Sequence, residues 1–149
     1  MAYKSFASGY LVKDGKVLLV HHTKFDKWVP PGGHTEVDET PDQTAEREFF
    51  EETSMQVKAI PAAPTAFAGD SNATPIPLPF HMGLEREGFD VPHIGCFYYM
   101  KQIDPSAQPK HQESEAFAIG WFGLGDLASL KTFDQVKALA AYAIKHYPR

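Results

Sequence analysis

Two stretches rich in aliphatic, aromatic and β-branched residues, Phe6 to Val12 and Val17 to His22, flank Asp14-Gly15 near the start of the chain. An Asp-Gly pair between two such runs predicts a β-hairpin closed by a tight turn. A polar stretch, Thr23 to Lys27, leads into Trp28-Val-Pro-Pro-Gly-Gly33, whose prolines and glycines exclude helix and predict a loop of fixed, locally unusual backbone. Thr40-Pro41-Asp42 then reads as a helix start: Thr40 as N-cap, Pro41 at the first helical position, and Asp42 and Glu46 near the positive end of the dipole. The helix predicted from it covers residues 41 to 53.

Beyond it, Met55 to Ile60, Phe80 to Leu84, His93 to Gln102 and Ala116 to Phe122 read as strands. Between the first two, five prolines and Gly69-Asp70-Ser71-Asn72 predict a long surface loop carrying short strands and shaping a pocket. Phe133 to Tyr147 closes the chain as a helix with Val136, Leu139, Ala140, Ala143 and Tyr147 on one face. Without repeat or linker, this order predicts a single α/β domain over residues 1–149, with helices packed on a central mixed sheet.

Composition narrows the function. The 149 residues, 43% hydrophobic, suffice for one buried core, and the longest apolar runs fall well short of a membrane span. The net charge of −5 gives no basic field to grip a nucleic-acid backbone. The first residues lack an export signal, so a cytoplasmic location is expected. The single cysteine, Cys96, lies in an apolar-aromatic run and reads as a buried, inert thiol.

The acidity is unevenly spread. Gly33 to Met55 holds eight acids against one arginine, a net of −7, and the remaining eleven acids and thirteen bases leave +2. At about 100° per residue, Glu48, Glu51 and Glu52 share an arc of about 100° on the helix. Arg47 stands four residues before Glu51, within pairing reach, while Phe49 and Phe50 turn away toward apolar packing. One arginine cannot neutralise three carboxylates at this spacing, whereas a hard divalent cation can. Magnesium is held by a few carboxylates together with substrate phosphates, so the spacing points to phosphate chemistry.

Gly33, five residues, Glu39, seven residues, then Arg47-Glu48-Phe49-Phe50-Glu51-Glu52-Thr53 resembles the signature box of the Nudix hydrolases. Every fixed position is met except the last glycine, replaced by Ser54. A non-glycine residue reaches the left-handed conformation expected there at a cost of about 1 kcal/mol, so a slightly strained helix exit and an intact site are expected. The resemblance implies an α/β/α sandwich and hydrolysis of a diphosphate linkage in a nucleoside triphosphate or nucleoside diphosphate derivative. It further implies that Glu48 and Glu52 ligate Mg²⁺ or Mn²⁺, that Glu51 ligates or holds waters, and that the Gly32 carbonyl adds an oxygen. Arg47 would orient the glutamates, and Glu39 would brace the loop against the helix. Candidates for the general base are Glu48, Glu51 and, on a later loop, Glu115 and Glu113.

Other residues carry weaker signals. His21, His22 and His93 lack zinc spacing and read as packed or edge residues. Lys24, Lys27 and Arg86 are candidates for phosphate contact, and Phe67, Phe80, Tyr98 and Trp121 for base stacking, although strand aromatics are core by default. Two readings compete with a hydrolase of small nucleotide-type substrates: a module that binds and senses a nucleotide without cleaving it, and a protein-interaction domain with an acidic helix. Oligomeric state, monomer or homodimer, stays open.

Overall fold

A computed structural model describes residues 2–86, 88–110 and 116–148. Strand β1 (Lys4–Lys13) turns through Asp14 and Gly15, both at positive φ, into β2 (Lys16–His22), the expected hairpin. The two strands pair only where Val12 faces Val17 and Lys13 faces Lys16. Upstream of that they part, and β1 is paired instead with β4 (Gly32–His34), Ser8 opposite Gly32 and Phe6 opposite His34. On its other edge β1 runs parallel to β7 (His93–Gln102), which in turn pairs antiparallel with β5 (Val57–Ile60) and β6 (His81–Glu85). Strand β2 carries β3 (Lys27–Val29) and β8 (Ala116–Gly123). The result is a mixed eight-stranded sheet.

The two-residue period of the strands divides the core. Ala7 and Leu11 of β1, Leu18 and Val20 of β2, and Cys96, Tyr98 and Met100 of β7 meet Ala45 and Phe49 of helix α1 (Pro41–Thr53). The alternate positions, Tyr10, Val17, Leu19, Phe97 and Tyr99, meet Val136, Ala140 and Ala143 of helix α2 (Asp134–His146). Burying both faces of the central strands between two helices accounts for their nearly continuous apolar runs. Tyr147, just past α2, anchors the end by donating its hydroxyl hydrogen bond to the Met100 carbonyl. The Cys96 thiol is buried, and burial pushes its ionisation up. Among the described residues no helix is long and apolar enough to cross a membrane.

Several expectations need correction. Residues 28–33 contain parts of two short strands, and neither Gly32 nor Gly33 is at positive φ. They are needed for close approach: a Cβ on Gly32 would lie 2.1 Å from Ser8 Oγ, and one on Gly33 2.4 Å from the Glu48 carboxyl carbon. Residues 61–80 form no strand, and none of them lines the cavity of about 560 Å³ that borders Gly32 and Gly33. Five prolines remove the donors a ladder would need, which leaves that segment on the surface. Phe50 does not pack inward but is 44% exposed; of the two phenylalanines only Phe49 is buried, in line with Ala45.

Candidate active site

Helix α1 begins as its sequence predicts, with Thr40 extended and its N–H donating to Gln43 Oε1 at 3.0 Å. It ends at Ser54, which is left-handed at φ 61° and whose N–H closes onto the Phe50 carbonyl at 2.8 Å. The serine therefore adopts the glycine-like conformation and leaves the last turn, with Glu51 and Glu52, in place.

Arg47 is the hub of the charged face. Its Nε donates to Glu39 Oε2 at 2.6 Å and its Nη2 to Glu39 Oε1 at 3.1 Å, a two-point clasp. Its Nη1 reaches Glu48 Oε1 at 2.9 Å and both Glu51 oxygens at 3.2 Å, and Nη2 also donates to the His34 carbonyl at 3.1 Å. Glu39 further accepts from Thr44 Oγ1 and from the Glu36 N–H. The guanidinium hydrogen bond, opposed by burial, lowers the Glu39 ionisation to about 2, and the same contact raises that of Arg47. One side chain thus ties the loop before the helix, β4 and three glutamates together.

The carboxylates differ in depth. Glu52 is 2% exposed and accepts from the Gly32 N–H at 2.7 Å. The Glu48 side chain is 15% exposed and lies against Gly33, while that of Glu51 is 41% exposed. All three belong to one helix face beside one glycine strand. Among the described residues, however, no three His, Cys, Asp or Glu side chains converge on a single point. Arg47 holds Glu48 and Glu51 to itself, so closing the set on a cation requires rotating those two carboxylates. Four acids against one arginine keep the cluster negative, and its donors are hard oxygens, as a divalent cation of the magnesium type requires. Gly32 contributes its N–H to Glu52.

On the other side of Gly32 and Gly33 lies a cavity of about 560 Å³. It opens where β1 and β2 part, and its walls include Phe6, Val29, Phe97 and Leu139. Phe25, Phe89 and Phe133 also line it, with Phe25 edge-on to Phe89 at 6.3 Å and to Phe133 at 5.7 Å. Its size and apolar character suit a small organic ligand.

The remaining candidates divide. Lys24 lines the cavity with its Nζ 5.5 Å from the Phe25 ring centre and 5.6 Å from that of Phe89. Lys27 instead covers Phe133 at 4.0 Å, and Arg86 is exposed; neither lines the cavity. Phe67, Phe80, Tyr98 and Trp121 do not line it either. Phe67 is 81% exposed, Phe80 stacks on Tyr99, Tyr98 is core, and Trp121 packs against the α1-side core. His21 pairs with Asp26 at 3.0 Å, and His93 is buried with Nδ1 2.7 Å from the Val91 carbonyl oxygen and Nε2 2.8 Å from His34 Nε2. Glu113 and Glu115 lie outside the described residues.

Phe25, Phe89 and Phe133 stand outside the residues singled out from the sequence. The signal available was an aromatic residue inside a polar, turn-forming segment, where burial in the core is not the default: Phe25 in Thr23 to Lys27, and Phe89 beside Gly88-Asp90.

The family model described as the NUDIX domain matches residues 6–142. Among solved structures, a NUDIX-family hydrolase from Clostridium perfringens superposes with a TM-score of 0.84 at 24% identity, covering 97% of this chain and 98% of that one. An ADP-ribose pyrophosphatase from Streptococcus suis superposes at 0.65 with 20% identity, over 99% and 96%. A MutT NUDIX hydrolase from Burkholderia pseudomallei does so at 0.64 with 16% identity, over 99% and 100%. No curated protein matches the chain. With residues 6–142 matched, this chain belongs to the NUDIX domain family.

Proposed function

We propose that the protein is a divalent-cation-dependent hydrolase that cleaves a diphosphate linkage in a nucleoside triphosphate or nucleoside diphosphate derivative. The observation that carries this reading is the two-sided use of β4: Glu48 and Glu52 abut Gly33 and Gly32, and the same glycines wall an apolar cavity of nucleoside size. Mg²⁺ or Mn²⁺, when bound, supplies charge neutralisation of the phosphates and a lowered pKa for an attacking water. Glu48, Glu51 and Glu52 would hold it, together with the Gly32 carbonyl. Glu52, anchored by the Gly32 N–H, is the rigid member of that set. Glu51, the most open of the three, is best placed to accept the proton of the attacking water, with Glu48 and Glu115 as the other candidates. Arg47 and Glu39 position and do not react: their clasp holds the helix to β4, which fixes the angle at which the carboxylates meet a phosphate chain. Lys24 adds a cation beside the cavity.

The test is a panel of nucleoside triphosphates and nucleoside diphosphate derivatives incubated with Mg²⁺, with and without chelator. Turnover that chelator stops supports the hydrolase. Binding without turnover supports a sensor, and no Mg²⁺-dependent ligand at all supports an interaction domain.

A further inference from the structure

The α2 side of the cavity carries a hydrogen-bonded polar pair. Glu85, at the end of β6, accepts from Gln135 Nε2 of α2 at 2.7 Å, and both line the same cavity. Gly83 lies beside that pair, and a Cβ there would be 3.7 Å from both Glu85 Oε1 and Gln135 Nε2, so the strand offers the pair no covering side chain.

Strand pairing gives the placement. Over Phe6–Ser8 the lateral order is β4, β1, β7, β6: Ser8 faces Gly32 on one side and Phe97 on the other, and Glu85 faces His93. Glu85 is therefore three strand spacings from the glycine strand, or about 14 Å. It faces α2, since His81, Gly83 and Glu85 share the face of their partner Phe97, which packs in the α2-side core. The cavity thus has a phosphate end at Gly32-Gly33 and a polar end at Glu85 and Gln135, separated by an apolar span comparable to an extended nucleotide.

We infer that Glu85, held by Gln135, forms the specificity-determining end of the cavity and selects a purine that presents a ring N–H beside an exocyclic amine, the edge of guanine. This rests on the nucleotide reading proposed above and names the base it takes. An ionised carboxylate only accepts, and its two oxygens match two adjacent N–H donors. Adenine, cytosine and uracil each offer an acceptor beside a donor on the corresponding edge, and that acceptor would face the Glu85 carboxylate unpaired. Gln135 holds Glu85 in place through its amide N–H.

The experiment is calorimetric titration of the full chain with GMP, AMP, CMP and UMP without Mg²⁺, which separates base reading from turnover. GMP is expected to bind at least about tenfold more tightly than the other three. Glu85→Gln, which replaces one acceptor oxygen by a donor, is expected to bring GMP down to their level. No detectable GMP binding, equal binding of all four, or a GMP preference retained by Glu85→Gln each overturns the inference. Base-blind binding beside intact Mg²⁺-dependent turnover sinks the inference and leaves the hydrolase standing; a GMP preference in a protein without turnover does the reverse.

Discussion

The two sides of β4 are built by opposite means. On one side Arg47 makes hydrogen bonds to Glu39, Glu48, Glu51 and the His34 carbonyl, so one guanidinium sets the directions from which three carboxylates are held. On the other, Phe25, Phe89 and Phe133 meet through ring contacts alone, with Lys24 laid over two of them. Directional, charge-assisted bonds hold angles; apolar contacts exclude water and tolerate small shifts. Chemistry on a phosphate chain needs the first property, and accommodating the attached group needs the second.

If this division holds, changes on the two sides should separate in kinetics. The largest effect is expected from Glu52→Gln, which keeps an acceptor for the Gly32 N–H but removes the charge. Turnover should fall by about a thousandfold or more, equivalent to about 4 kcal/mol of transition-state stabilisation, with the melting temperature little changed. Wild-type turnover in that variant would remove Glu52 from the metal site.

Gly33→Ala comes next. Its Cβ would intrude on the Glu48 carboxylate, displacing it by an ångström or so, and kcat should drop about a hundredfold while the cavity still binds nucleotide. A KM effect without a kcat effect would break the proposed separation. On the cavity side, Phe25→Ala should raise KM about tenfold, the scale of one lost aromatic stacking contact, and leave kcat nearly intact.

Glu39→Gln sharpens the charged half through pH. The Glu39 ionisation lies at about 2 in the fold against an ordinary 4.5, so its contribution to stability is fully present above about pH 4.5 and is lost as pH falls through 2. The shift corresponds to at most about 3 kcal/mol at neutral pH. The variant should be less stable at neutral pH and show a flatter acid limb in denaturant titrations than the wild type. The smallest effect belongs to Ser54→Gly, which relieves a left-handed serine: a gain of about 1 kcal/mol, or a rise of roughly 2–4 °C in melting temperature, with unchanged turnover.

How much could be read from the sequence follows the same line. The hairpin turn at Asp14-Gly15, the helix over Pro41–Thr53 and the shared arc of Glu48, Glu51 and Glu52 depend on residues within a few positions of one another, where spacing fixes geometry. Strands β3 and β4 are three residues each and adjoin a Pro-Pro pair, so no run is long enough to display a period. The inward assignment of Phe50 failed because the α1 core takes one aromatic there, Phe49, and the next residue on the helix turns to solvent. The cavity draws on β1, the β2–β3 turn, β6 and α2, and its Glu85–Gln135 bond joins residues 50 positions apart. Such a contact comes from topology, which local pattern does not encode. Phe80, weighed as a stacking candidate against a core default, takes the default: it stacks on Tyr99 and Tyr142 just before β6.

Strand β4 has one more consequence. With Gly32 and Gly33 as its first two residues, the partition between the carboxylates and the cavity is a single peptide layer thick there, carrying no side chains. On the hydrolase reading proposed above, a ligand seated in the cavity and hydrolysed beside the carboxylates would bend over that edge, and the wall would work as a ruler. The bond that breaks would be set by its distance along the chain from the anchored group, and lengthening or shortening the connector by one phosphate would move the cut and leave the machinery unchanged.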